Sequence, residues 1–304
     1  MKLHPLRKGD TVQLVTPASP LSADKLEFIT TWLEGQGYRT KIAPHALEAD
    51  GYLAGTDKDR AADLMAAFED EETHAVLCTR GGYGCVRLLP FLDLDRIVRS
   101  HKMLLGFSDV TTLHAALNRR GMPTVHSPMA LTLHYPRQPF VLESMSRILR
   151  NDLTVPLEAP RATTVVGGIA TGKTVGGCMC LLMDSVGTPN EVDVEGKILF
   201  IEDVDEMPHR IDAMFTHLIH SGLAAKASGF VIGEMTRTDE KVDKDIGDRP
   251  WKEIIIERLA PLGKPMVIGY PFGHMKNMLT IPLGVEARLD ADDGTLTYLE
   301  TLCD

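Results

Sequence analysis

KMLLGFSDVTTLHAALNRR, residues 102–120, reads as a strand that runs straight into a helix. Met103, Leu104 and Leu105 form an unbroken apolar run, as in a strand covered on both faces. Gly106-Phe107-Ser108-Asp109 leaves room only for a tight turn before the helical stretch 108–120. The same alternation precedes it. TVQLVT (11–16) is apolar and β-branched, and PASP breaks it. From Ser22 as N-cap, residues 22–35 place Leu26, Ile29 and Leu33 at helical spacing. YRTKIAP (38–44) predicts a second strand, 57–69 a helix, and HAVLCT (74–79) a third strand running into RGGYG (80–84). Strand and helix in alternation predict a parallel α/β sheet, whose ligands sit beyond the carboxyl ends of the strands. RGGYG and GFSD both lie at such ends.

Residues 151–165 are polar, proline-bearing and without period, and read as a linker between an N-terminal domain, 1–150, and a C-terminal domain, 166–304. The second domain offers a glycine-rich turn region (167–177), strands at 197–202, 228–235 and 265–271, and helices at 207–221 and 250–261. The stretch 279–300 alternates around a DG turn and predicts a closing hairpin.

Acidic residues outnumber basic ones, 42 to 32, for a net charge of −10. That field repels phosphate backbones, so nucleic acid is not an expected partner. No run approaches the ~20 apolar residues of a membrane helix, and the first 17 residues are too interrupted for a signal peptide. Five cysteines (78, 85, 178, 180, 303) form no C-x-x-C, so a reducing, cytoplasmic setting is expected.

GGIATGKT (167–174) matches the phosphate-loop pattern G-x-x-x-x-G-K-[ST], and ILFIED (198–203) resembles the strand that holds magnesium in nucleotide hydrolases. A phosphate loop needs a helix directly after Lys173-Thr174. Val175-Gly176-Gly177 follows instead, and each glycine disfavours a first turn by about 1 kcal/mol. The stretch is therefore expected to be a glycine turn opening the second domain, with Lys173 on the surface. The alternative, from another functional class, is a nucleotide-binding protein or ATPase.

Ser108 has the setting of a nucleophile elbow, exposed on a tight turn with the next N–H free to face an oxyanion. The common G-x-S-x-G is incomplete, because Val stands at 110. The competing reading makes Ser108 or Asp109 a simple helix cap. A serine nucleophile needs a base and an orienting carboxylate. His217 and His220, at i, i+3 on a predicted helix near His209, suit a metal site but lack a further ligand. His126, in TVHSPM, suits either the core or a pocket wall. His274, in the Gly/Pro-rich loop YPFGHMKN, is better placed for chemistry. Glu202 ends the strand KILFIE, half buried and in need of a partner.

RGGYGCVRLL, LLGFSD, HSPM, VGGCMCLLMDSVGTP, ILFIEDVDEMPHRID and PFGHMKNMLTIPLGVEARLD together resemble, in order and over nearly the whole chain, the signature blocks of the LD-carboxypeptidases. That serine peptidase family includes murein tetrapeptide carboxypeptidases and immunity proteins that inactivate the peptide-nucleotide antibiotic microcin C. The resemblance implies an N-terminal parallel-sheet domain like a class I glutaminase (flavodoxin-like) and a C-terminal swivelling-type α/β domain. It implies the triad Ser108, Glu202 and His274, and an oxyanion hole from the backbone N–H groups of Gly82 and Asp109. It further implies no metal or other cofactor, a homodimer, and a small peptide substrate with a free C-terminus. Arg80, Gly81, Tyr83 and His126 become candidate substrate contacts, with Arg80 nearest to receive the carboxylate. Two departures stand out: Cys178 where the family often has Asn, and Met275 where a glycine is usual after the histidine. DVDEMPHRID resembles the murein-type enzymes more than the immunity proteins. Trp251 could stack a nucleotide, but its place at a helix start favours packing.

Overall fold

The computed structural model describes residues 1–304. In chain order the first five strands are β1 (Thr11–Val15), β2 (Arg39–Ile42), β3 (Thr73–Cys78), β4 (Met103–Gly106) and β5 (Thr124–His126). They lie parallel, in the order β5-β4-β3-β1-β2. The central strands β1, β3 and β4 are buried almost throughout, because helices cover both faces. The helix Asp57–Glu69 starts where its apolar period starts, capped by Thr56, whose hydroxyl accepts from the Asp59 N–H. Ser22 makes no such cap; a 3-10 turn, Ala23–Lys25, precedes the helix Glu27–Gly35.

The second sheet contains β6 (Thr163–Val166), β7 (Ile169–Cys178), β8 (Ile198–Val204), β9 (Gly229–Thr236) and β10 (Met266–Ile268). After β11 (Ile281–Leu283), the hairpin β12 (Glu286–Asp290) and β13 (Thr295–Tyr298) completes it, in the order β13-β12-β7-β8-β9-β10-β6. Strands β7 to β10 are parallel, while β6 and β12 run antiparallel to their neighbours. Both faces of β8 are buried, which explains the unbroken ILFI run.

Three features differ from the reading of the sequence. Residues 169–178 are not a turn but the longest strand of the molecule, central in its sheet. Their glycines serve close approach: a Cβ on Gly176, whose φ is +133°, would lie 1.9 Å from the Phe200 carbonyl oxygen. The next helix, Met179–Ser185, starts only at the end of the strand, five residues past Thr174, and Thr174 is buried, donating to the Pro282 carbonyl oxygen at 2.7 Å. The phosphate-loop pattern is coincidental. Secondly, β6 begins inside the stretch read as a linker. Thirdly, β11 does not extend the hairpin but crosses back and pairs antiparallel with β5, completing the first sheet from the far end of the chain.

The helix Thr111–Arg119 sits where the two sheets meet, with every residue from Thr111 to Leu117 buried. The Cys178 N–H at the end of β7 donates to Thr111 Oγ1 at 3.0 Å. The ends of β4 and β8, which carry Ser108 and Glu202, are thereby held together. No helix is long and apolar enough to cross a membrane.

Candidate active site

Ser108 follows β4 with φ +63°, a region that non-glycine residues enter only under constraint. A 3-10 turn, Ser108–Val110, leads into the helix, so the helix does not start at the serine itself. The left-handed residue breaks the backbone path and turns the hydroxyl outward. Neither Ser108 nor Asp109 caps the helix through its side chain.

Glu202, at the end of β8, is fully buried. His274 lies on the loop after β10, and its Nδ1 is 2.7 Å from Glu202 Oε2, which also accepts the His274 backbone N–H at 3.1 Å. An ionised carboxylate can only accept, so Nδ1 carries the ring proton and Nε2 offers its lone pair. Nε2 is 2.9 Å from Ser108 Oγ, whose O–H therefore donates to it. Burial by itself would lower the His274 pKa, but the charge of Glu202 and the hydrogen bond to it outweigh that and leave it raised. Gly273 makes the approach possible. Its φ is +95°, and a Cβ there would lie 2.3 Å from Glu202 Cγ.

RGGYG lies directly against the elbow. A Cβ on Gly81 would lie 2.7 Å from Ser108 Cβ and 3.1 Å from the Asp109 nitrogen. The N–H groups of Gly82 and Asp109 have no acceptor within the chain and remain free to donate. The Asp109 carboxylate plays a part the sequence did not reveal: it accepts the Cys85 N–H at 2.7 Å and ties the glycine turn to the elbow. Its burial raises its pKa.

The remaining candidates separate. Arg80 donates to the Pro20 carbonyl at 2.8 Å and the Gly81 carbonyl at 3.2 Å, bracing the turn. Tyr83 is exposed, edge-on to Tyr52 at 5.8 Å between ring centroids. His126 is no pocket wall. It is fully buried, its ring 4.1 Å from that of Phe272 and 5.4 Å from that of Phe107, with neither nitrogen hydrogen-bonded. Burial holds its pKa well below the usual value, so it is a neutral core ring behind the site. Phe107 in turn packs at 4.9 Å against His274. The sequence signal was available: LLGFSD and PFGHMK each carry a phenylalanine one or two residues before the polar one.

His209, His217 and His220 are exposed on the helix Pro208–His220 and do not form a three-ligand cluster. One such group does occur, at Cys178, Cys180 and Asp203. The two sulfurs are 3.4 Å apart, and Asp203 accepts the Cys180 N–H at 2.8 Å. Burial, reinforced by the Glu202 charge, pushes the Asp203 pKa up to about 6. Trp251 packs in the core of the second sheet rather than facing a cleft.

A strained serine on a strand-to-helix turn, bonded to a histidine that is bonded to a buried glutamate, is the arrangement of a serine hydrolase. Residues 12–127 match the LD-carboxypeptidase N-terminal domain and residues 171–289 the LD-carboxypeptidase C-terminal domain. The chain belongs to the LD-carboxypeptidase family. The protein named "Probable murein peptide carboxypeptidase" of Bacillus subtilis is 34% identical over 299 residues, covering 95% of this chain and 92% of that one. The murein tetrapeptide carboxypeptidase of Pseudomonas aeruginosa is 32% identical over 303 residues, covering 92% and 93%. Among solved structures, apo microcin C7 self-immunity protein MccF superposes with a TM-score of 0.88 at 23% identity, over 100% of both chains. That likeness is one of fold.

Proposed function

We propose that this chain is a serine carboxypeptidase that cleaves the bond between an L-configured centre and a C-terminal D-amino acid, converting a murein tetrapeptide to a tripeptide and D-Ala. The observation that carries the reading is the continuous chain of hydrogen bonds from Ser108 Oγ through His274 to Glu202. In the proposed mechanism His274 Nε2 takes the Ser108 proton as Oγ attacks the scissile carbonyl. The same nitrogen then protonates the leaving amine, and water releases the acyl group by the reverse proton path. Glu202 keeps the proton on Nδ1 and stabilises the imidazolium. The free Gly82 and Asp109 N–H groups receive the oxyanion, each worth about 10²–10³ in rate. The murein substrate is supported by relatives at 32–34% identity whose names state it.

Sequence likeness to the microcin C7 self-immunity protein MccF of Escherichia coli, 26% identical over 330 residues, favours a second reading, hydrolysis of an aminoacyl-nucleotide amide by the same triad. Turnover of a murein tetrapeptide against such an amide, on purified protein, separates the two. In either case Ser108→Ala should retain the fold and lose turnover; D-Ala release at the wild-type rate by that variant would sink the assignment. We further propose cytoplasmic action, in keeping with five free cysteines, and a homodimer, on the family resemblance. The domain division near residues 151–165 is a proposal as well, adjusted so that β6 opens the second unit.

A further inference from the structure

A small pocket of about 60 Å³ adjoins His274. Phe107, Thr132, Arg137, Met275 and Lys276 line it with His274. This inference rests on the carboxypeptidase reading, in which His274 protonates the leaving amine. A pocket walled by that same ring is then where the departing residue sits. Size restricts the occupant. A cavity needs about 10–15 Å³ by this measure to hold one water, so the pocket takes a group of only a few heavy atoms. A carboxylate or a methyl fits that space, and an aromatic or long side chain does not.

Charge restricts it further. The departing residue of a carboxypeptidase carries a free carboxylate, and two cations line this pocket. Arg137 is anchored: Nε and Nη2 donate to the Thr132 carbonyl at 2.8 and 2.6 Å, and Nη1 to the Lys276 carbonyl at 2.6 Å. A guanidinium has five N–H donors. Two remain, on a group with no carboxylate partner in the chain. The Arg137 backbone follows the short helix Ala130–Leu133, while Lys276 and Met275 come from the histidine loop. The bond from Arg137 to the Lys276 carbonyl thus joins the first half of the chain to the loop that carries the base. Arg80, expected to receive the carboxylate, does not line this pocket.

We propose that Arg137, assisted by Lys276, recognises the C-terminal carboxylate of the departing residue, and that the pocket restricts that residue to alanine or glycine size. The fork of Arg suits a carboxylate better than a point charge does. The test uses two peptides, a murein tetrapeptide ending in D-Ala and the same peptide as its C-terminal carboxamide. Wild-type protein should prefer the acid by about 10- to 100-fold in kcat/KM, the range of a charge-assisted hydrogen bond. Arg137→Gln should reduce that preference to near one, mainly through KM for the acid; the ratio of the two substrates is the readout, because loss of the bonds to the Thr132 and Lys276 carbonyls lowers both rates alike. Arg137→Lys keeps the charge without the fork and should retain part of the preference; it serves if the glutamine variant fails to fold. A wild-type preference kept in full by folded R137Q, or by R137K together with K276Q, would overturn the inference alone. A wild-type protein that hydrolyses neither peptide overturns the carboxypeptidase reading itself, and the inference with it.

Discussion

His274 takes its properties from two opposed effects. Burial disfavours its charged form, while Glu202, bonded at 2.7 Å, favours it by more. The sign follows for pH. A general base must be neutral, so kcat/KM should fall on the acid side through a pKa above the ordinary value of about 6.5. Glu202→Gln removes the stabilising charge, so the acid limb should move to lower pH as the maximal rate falls; an unmoved limb in the pH–rate profile would count against the pairing. The stability side has the opposite sense. The protonated His274–Glu202 pair contributes below the unfolded histidine pKa, and that contribution is lost as pH rises through the raised folded value. Gly273 is the residue on which this contact turns. Gly273→Ala would bring a methyl to 2.3 Å from Glu202 Cγ at φ +95°. It should lower activity by tenfold or more, measured as D-Ala release, and lower the urea midpoint as well. Of the residues at the site, the polar ones were legible, because serine on a strand-to-helix turn and histidine in a Gly/Pro loop have few structural uses. His126 was not, since a histidine after an apolar strand reads the same whether it faces a cleft or a phenylalanine.

At the scale of elements, the apolar patterns of the sequence located most strands and helices. The helix Asp57–Glu69 begins and ends where its pattern does, β3 matches its apolar run within a residue and β8 within two. The failure at β7 has a definite cause. Glycine lowers strand preference in the sequence, yet here β8 approaches so closely that a side chain would clash. Gly176→Ala should therefore destabilise by about 1–3 kcal/mol, as overpacking does, read as a lowered urea midpoint with unchanged slope. An unchanged midpoint would mean that the two strands separate without penalty. The cysteines supply a second check. Only Cys180 is partly exposed, while Cys78, Cys85, Cys178 and Cys303 are buried. A thiol reagent should titrate one cysteine rapidly in native protein and all five after denaturation; rapid native labelling of three or more would contradict the packing.

The molecule as a whole is woven rather than strung. Strand β11, more than 150 residues after β5, closes the first sheet, and the next strand joins the second. The helix Thr111–Arg119 is shared between them, with Ala115 packed in the core of the second sheet. Neither sheet is complete without the strands that follow residue 280. Calorimetry should accordingly give one cooperative transition, although multi-domain chains often show more; two resolved transitions would mean that the sheets unfold independently. Local order determined much of this protein: the alternation of strand and helix, the elbow at Ser108, the loop of His274 and the family were all readable along the chain. The tertiary structure alone decided that His126 is a core ring, that Asp109 ties two turns together, that the glycine stretch is a central strand, and that Arg137 lies beside the base. Those outcomes depend on contacts between residues tens to hundreds of positions apart, and neither periodicity nor propensity carries information about such pairs.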